Sequence, residues 1–135
     1  MTPVLYSFRR CPYAMRARLA VQAAQTPVHL REIVLRDKPA AFLAASASGT
    51  VPCLVLHDAM PDTTIDESLD IMIWALTISD PDGLMNMPAS GWDLIAHCDG
   101  PFKHALDRTK YATRYPDSDP VQHRNNAIAF LHDLD

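Results

Sequence analysis

The stretch VLYSFRRCPYA, residues 4–14, joins an apolar run to a helical one and decides the predicted fold. Val4 to Phe8 is apolar nearly throughout, which predicts a short strand in a sheet that is covered on both faces. Residues 12–25 predict a helix, and Pro12 suits its first position because an N–H there would have no partner. Cys11 therefore lies at or just before a helix N-terminus, where unpaired N–H groups and the helix dipole favour negative charge. A thiol in that position is expected to ionise more readily than a free cysteine, and the thiolate is the reactive form.

The first 79 residues contain strands and helices in the order β-α-β-α-β-β-α. The predicted strands are residues 4–8, 28–35, 51–56 and 63–65, and the predicted helices are residues 12–25, 39–45 and 66–79. The first helix has apolar residues at the i, i+3, i+4, i+7 spacing of one buried face, namely Ala17, Ala20, Val21 and Ala24. The third helix is predicted to bury Leu69, Met72, Ile73 and Leu76. The first two strands should pair in parallel and the last two antiparallel, which gives a mixed four-stranded sheet with helices on both faces, a thioredoxin-like α/β arrangement.

Beyond residue 79 the pattern changes to helices alone. Residues 80–90 contain two prolines and Gly83 and are predicted to be a linker, which leaves 91–135 as a partial all-helical C-terminal domain. Helices are predicted at 92–98 and at 101 to about 114, with a kink at Gly100-Pro101. A last amphipathic helix should start at Asp119-Pro120. Its apolar face is predicted to carry Val121, Ile128 and Leu131.

The composition predicts a soluble cytoplasmic protein. The chain is 48% hydrophobic and 21% charged, and no apolar run approaches the roughly 20 residues of a membrane helix. A formal net charge of -4 with interspersed signs gives no reason to expect a nucleic-acid partner. The three cysteines, Cys11, Cys53 and Cys98, are widely spaced and odd in number, which fits a reducing compartment and not a disulfide framework.

The motif after the first strand is Cys-Pro-x-x, the position of a thioredoxin-like redox motif, but its fourth residue is Ala14. Cys11 can attack a disulfide or an electrophilic carbon, yet no neighbouring thiol can release it through an internal disulfide. An external thiol is therefore needed, and glutathione is the natural supplier.

Two stretches suit a small anionic peptide of that kind. A cis Pro52 at the entrance to the third strand would leave the backbone of Val51 available to pair with an extended peptide. At the start of the third helix, Ser68 and the helix N-terminus suit a carboxylate and Glu67 suits an ammonium group. Lys38 could pair with the opposite carboxylate of the peptide.

Each of these residues also has an ordinary structural explanation. A lone cysteine at a helix start is often structural, X-Pro before a strand is usually trans, Asp66-Glu67-Ser68 is an ordinary helix cap, and a lone lysine is commonly a solvated charge. Either Tyr6 or Tyr13 could instead offer a hydroxyl to a thiol, a tyrosine-type activation. Cys53 is predicted to be a buried apolar residue. The spacing of His97, Cys98 and His104 matches no common metal-ligand pattern, so no metal is expected.

The sequence resembles glutathione S-transferases, most closely bacterial members of the cysteine-type (omega-like) kind. The resemblance is carried by residues 5–16, 49–52, 66–72, 99–103 and 107–116. It implies that Cys11 is the catalytic residue, forming a mixed disulfide with glutathione. It also implies that Lys38, Val51, Glu67 and Ser68 contact glutathione and that Pro52, which belongs to the same site, is cis, with Phe8, Pro12 and Tyr13 as supporting residues. Family members continue through further helices, so the chain is expected to be truncated in its helical domain, as a fragment, a shortened member or a protein that oligomerises.

The expected function is that of a glutathione-dependent transferase of the cysteine type, acting as a thiol transferase or reductase. Residues 1–79 would bind glutathione, and the second substrate would be a small electrophile or disulfide. The protein is expected to be a cytoplasmic homodimer. A non-catalytic binding or regulatory protein with the same fold is the alternative. A glutaredoxin-like monothiol protein is a third hypothesis, against which the helical region counts.

Overall fold

The computed structural model describes all 135 residues, which form two compact units, Met1–Asn86 and Met87–Asp135. The first unit contains, in chain order, β1 (Val4–Ser7), α1 (Pro12–Ala23), β2 (His29–Glu32), α2 (Ala40–Ala45), β3 (Cys53–Leu56), β4 (Thr63–Ile65) and α3 (Ser68–Ile78). The second contains α4 (Ala89–His97), a π-helical turn (Cys98–Phe102), α5 (Lys103–Lys110), a 3₁₀ turn (Ala112–Arg114) and α6 (Pro120–Leu134).

The four strands form one mixed sheet in the order β2-β1-β3-β4. β1 pairs in parallel with β2 and antiparallel with β3, which in turn pairs antiparallel with β4. The parallel β1–α1–β2 connection places the N-terminus of α1 next to the end of β1, where Cys11 lies. The thioredoxin-like mixed sheet predicted from the sequence is confirmed.

Both faces of the sheet are covered, because β1 sends alternate side chains into two apolar clusters. One cluster joins Leu5 and Leu54 of the sheet to α1 and α3; the other joins Val4, Tyr6 and Cys53 to Phe42 of α2. The predicted buried face of α1 is confirmed: Ala17, Ala20, Val21 and Ala24 are all at most 6% exposed.

Two elements of the first unit differ from the prediction. The buried residues of α3 are Ser68, Ile71, Ala75 and Leu76, and Met72 packs, partly buried, against the same cluster. The predicted face is therefore right at Met72 and Leu76 and wrong at Leu69 and Ile73, which are only partly buried. The small Ala75 packs in the same cluster as the alanine face of α1, and this close approach selects the side of α3 that is buried. A strand over 28–35 was predicted, but β2 is only four residues long. All four of its residues are exposed, since it is an edge strand that pairs with β1 alone.

The second unit is organised around Phe130 of α6, which is 3% exposed. Its ring stacks on His97 with centroids 4.5 Å apart and lies 5.0 Å from the ring of Phe102. Ala127 and Phe130 are the buried residues of α6, so the predicted apolar face was wrong. The predicted start is confirmed, since the Asp119 carboxylate accepts hydrogen bonds from the N–H groups of Val121 and Gln122. None of the helices combines the length and apolar character that crossing a bilayer requires.

Candidate functional site around Cys11

Cys11 is the N-cap residue of α1, as the sequence predicts, and Pro12 occupies the first helical turn. The Cys11 N–H donates to the Phe8 carbonyl at 3.0 Å, and the Cys11 carbonyl accepts the Met15 N–H at 2.9 Å. These two bonds fix the backbone on both sides of the thiol. The thiol itself is partly exposed.

Arg18 braces the loop that carries Cys11. Its guanidinium donates to the Ser7 hydroxyl at 2.6 Å, and also to the carbonyls of Phe8 and Arg9 at 3.4 and 3.1 Å. One side chain, two turns into α1, therefore ties the end of β1 and the following loop to the helix. This role is not visible in the sequence, because Arg18 lies off the apolar face and its partners can be identified only once the loop is folded.

The thiol of Cys11 meets the loop that precedes β3. Its Sγ donates to the Val51 carbonyl at 3.8 Å, across 40 residues of sequence. The Val51–Pro52 peptide bond is cis, as predicted. Gly49 has φ +64°, a left-handed conformation that glycine adopts without a Cβ penalty.

Lys38 lies against the same loop. Its ammonium group donates to the Gly49 carbonyl at 2.8 Å. Because an ammonium group has three donors, this bond positions the side chain near Val51 and still leaves it a cation with donor capacity. The structure therefore brings Cys11, Lys38, Val51 and Pro52 together around one loop.

Glu67 and Ser68 lie at the start of α3, with Glu67 as its N-cap residue. Ser68 is 4% exposed, and its hydroxyl accepts a hydrogen bond from Arg16 Nε at 3.0 Å. The guanidinium of Arg16 lies 5.1 Å from the centroid of the Tyr13 ring. Arg16, whose role no sequence motif indicates, thus connects the first turns of α1 to the first residue of α3.

The aromatic residues near the thiol have different surroundings. The guanidinium of Arg10 lies 5.4 Å from the centroid of the Phe8 ring, next to the carbonyl that holds the Cys11 N–H. Tyr6 is 6% exposed and packs on Phe42 with ring centroids 5.3 Å apart. The ring of Tyr6 is therefore part of the core.

Cys53 is an inert counterpart to Cys11. It is fully buried, as predicted, and burial, a hydrogen bond to Asp66 and the charge of Asp66 raise the pKa of its thiol to about 12, against a smaller opposing effect of the Ser46 hydroxyl. At neutral pH it stays a thiol, and the thiolate is the nucleophile.

Iodoacetamide applied to the native protein at pH 8 is accordingly expected to alkylate Cys11 and to leave Cys53 unmodified. Peptide mapping of the alkylated protein measures both, and the same treatment in denaturant is the control in which Cys53 also reacts. Equal labelling of the two cysteines in the native protein would contradict this assignment.

A groove of about 500 Å³ lies elsewhere on the first unit, between the C-terminal half of α1 and β2. Arg18, Val21 and Leu30 are among its lining residues, and none of the predicted site residues lines it. Its walls carry no cysteine. The chemistry of the first unit therefore points to the loops around Cys11 and not to this groove.

Comparison with known proteins finds its family match in the part of the chain that contains Cys11. Residues 5–81 match the family model described as glutathione S-transferase, N-terminal domain. The pyrimidodiazepine synthase of Drosophila melanogaster is 40% identical over 65 residues, which cover 48% of this chain and 27% of that protein.

Solved structures share the fold over nearly the whole chain. Glutathione transferase Omega 2C from Trametes versicolor superposes with a TM-score of 0.77 at 17% identity, covering 98% of this chain and 60% of that one. A glutathione transferase homologue from Sulfitobacter, solved with bound glutathione, gives a TM-score of 0.67 at 15% identity, with 96% and 63% covered. The chain thus spans less than two thirds of the length of these relatives.

Proposed function

Because this chain belongs to the glutathione S-transferase family, we propose that it is a glutathione-dependent thiol transferase or reductase that reacts through Cys11. The observation that carries the proposal is the place of the thiol: Cys11 is the N-cap residue of α1 and partly exposed, and its Sγ lies 3.8 Å from the Val51 carbonyl. Cys11 has no second cysteine in its motif, so its chemistry needs an external thiol.

The proposed reaction is a pair of thiol–disulfide exchanges. The Cys11 thiolate attacks the glutathione sulfur of a mixed disulfide between glutathione and a substrate thiol, which forms a bond between Cys11 and glutathione and expels the substrate as a thiolate. The thiolate of a second glutathione then attacks the glutathione sulfur held by Cys11. This step releases oxidised glutathione and restores the Cys11 thiolate, so atoms and electrons balance over the cycle.

The residues around the thiol supply binding groups of the right kind for glutathione. The Val51 backbone, next to the cis bond to Pro52, would pair with the cysteinyl part of the peptide, as a strand edge does. Ser68 and the N-terminus of α3 would hold a carboxylate, and Glu67 would hold the ammonium group. Lys38 would meet the opposite carboxylate. In this proposal Phe8, Pro12 and Tyr13 shape the loop and first turn that present Cys11.

The wider context is also part of the proposal. Residues 1–79 form the glutathione-binding domain, 80–90 the linker and 91–135 a partial helical domain. The protein acts in the cytoplasm as a homodimer on a small electrophilic or disulfide substrate, without a metal. A non-catalytic binding or regulatory protein of the same family is the alternative.

Incubation with oxidised glutathione tests the proposal directly. The intact mass should rise by one glutathione moiety, and peptide mapping should place it on Cys11, with the mass restored by reduced glutathione. Cys53→Ser and Cys98→Ser are the matched controls and should still take up one moiety each. Wild-type protein that neither takes up glutathione nor binds it would favour the non-catalytic alternative.

A further inference from the structure

Asp66, the residue before Glu67, has both carboxylate oxygens bound to one loop. Oδ1 accepts the Ser46 hydroxyl at 2.7 Å, and Oδ2 accepts the Ser48 N–H at 3.1 Å. Ser46 is 4% exposed and lies at the end of α2, 20 residues earlier in the chain. The carboxylate is therefore a long-range connection between the loop of residues 46–51 and the start of α3.

The Ser46 hydroxyl makes a second hydrogen bond, further along the loop. While it donates to Asp66, its oxygen accepts the Gly49 N–H at 3.0 Å. Gly49 is the residue at positive φ, and its carbonyl is the one that Lys38 binds. The conformation that leads into Val51 thus depends on a chain of hydrogen bonds that ends on Asp66.

Burial would raise the pKa of Asp66, but hydrogen bonds from Ser46, from the Ser48 and Ala47 N–H groups and from Cys53 lower it below the usual value. The carboxylate is therefore ionised at neutral pH, which strengthens the bonds it accepts. The titratable group that faces it is the Cys53 thiol, which stays neutral because its own pKa is raised to about 12.

We propose that Asp66 is the positioning residue that holds the two halves of the glutathione site in register, the Lys38–Val51 half and the Glu67–Ser68 half. It contacts neither the reacting sulfur nor, in this assignment, glutathione. The inference rests on the function proposed above. Its sequence neighbours had suggested only a helix cap, but the α3 N-cap is Glu67, and the side chain of Asp66 is turned to the other loop.

Asp66→Asn tests this role, because it keeps the shape of the side chain and removes its charge. We expect the dissociation constant for reduced glutathione, measured by calorimetry on the full chain, to rise about tenfold, the size of one lost charge-assisted hydrogen bond. KM for glutathione should rise by a similar factor while kcat at saturation falls less than about threefold. Without glutathione, amide hydrogen exchange at Ser48 and Gly49 should become faster.

Asp70→Asn is the matched control: the same change, in the first turn of the same helix, on an exposed residue. It should leave loop exchange and glutathione affinity at wild-type values. Ser46→Ala keeps the charge of Asp66 and removes the hydroxyl that links Asp66 to the Gly49 N–H. It should therefore speed amide exchange at Gly49 and weaken glutathione binding, as Asp66→Asn does. This variant keeps the test valid if Asp66→Asn folds poorly.

The outcomes separate the two proposals. Wild-type protein that binds glutathione while Asp66→Asn and Ser46→Ala bind it equally well overturns the positioning role alone. Wild-type protein that does not bind glutathione overturns the proposed function, and the positioning role with it. A fall in kcat for Asp66→Asn with KM unchanged would also overturn the positioning role, because that role acts through glutathione binding.

Discussion

Replacing Cys11 with serine is expected to reduce glutathione-dependent disulfide reduction by about a thousandfold or more, since a residue that forms the covalent intermediate cannot be bypassed. Serine keeps the size of the side chain and its place at the start of α1, but an alkoxide is not available at neutral pH. Steady-state rates with a glutathione mixed disulfide as substrate measure the loss. Glutathione affinity should change less than about threefold, because the proposed binding groups are elsewhere.

Tyr13→Phe is the matched control for the rival mechanism, in which a tyrosine hydroxyl activates glutathione. It should retain wild-type disulfide reduction within about threefold. If Cys11→Ser kept full activity while Tyr13→Phe lost it, the chemistry would belong to the hydroxyl and not to the thiol. Circular dichroism of both variants shows whether the fold is intact.

The fold could be predicted because its main signals are local in sequence. β1, with its apolar run, and α1, with its alanine face, need only their own residues to show their type and their buried side. The face of α6 was predicted wrongly, and that of α3 in part, for a physical reason: apolar residues occur on several sides of both helices, so periodicity leaves more than one face possible. Packing then decides, through Ala75 against α1 and through Phe130 between the rings of His97 and Phe102.

Only part of the candidate site could be predicted from the sequence. Cys11 and Pro12 come from a short motif in which the residue type itself carries the chemistry, and the cis bond at Pro52 was implied by the resemblance to the family. The side chains that hold the site loops by hydrogen bonds belong to no such motif. Arg18 donates to the Ser7 hydroxyl, and Asp66 accepts from the Ser46 hydroxyl, 20 residues earlier in the chain. Charged residues of this kind look solvated in a sequence, since nothing in the spacing shows which backbone groups they will meet. The proposed nucleophile was therefore visible in the sequence, and the residues proposed to position it were not.

Replacing Phe42 with alanine is expected to lower the free energy of unfolding of the first unit by about 3–5 kcal/mol. Phe42 is fully buried and is the only buried residue of α2. Its ring packs on Tyr6 and joins Val4, Cys53 and Val55 in one cluster, so truncation leaves a cavity beneath the sheet. Urea unfolding followed by the fluorescence of Trp74, in a Trp92→Phe background, reports on this unit.

Leu43→Ala makes the matched comparison, because Leu43 is the next residue of the same helix and is 51% exposed. It should cost less than about 0.5 kcal/mol, as surface substitutions usually do. Phe42 is also connected to the candidate site through the backbone. Its carbonyl accepts the Ser46 N–H at 2.9 Å, and Ser46 begins the loop that leads to Val51. Loss of Phe42 should therefore loosen that loop as well as the core, with faster amide exchange at residues 46–51 under native conditions. Equal costs for the two alanine variants would mean that α2 is not anchored through Phe42.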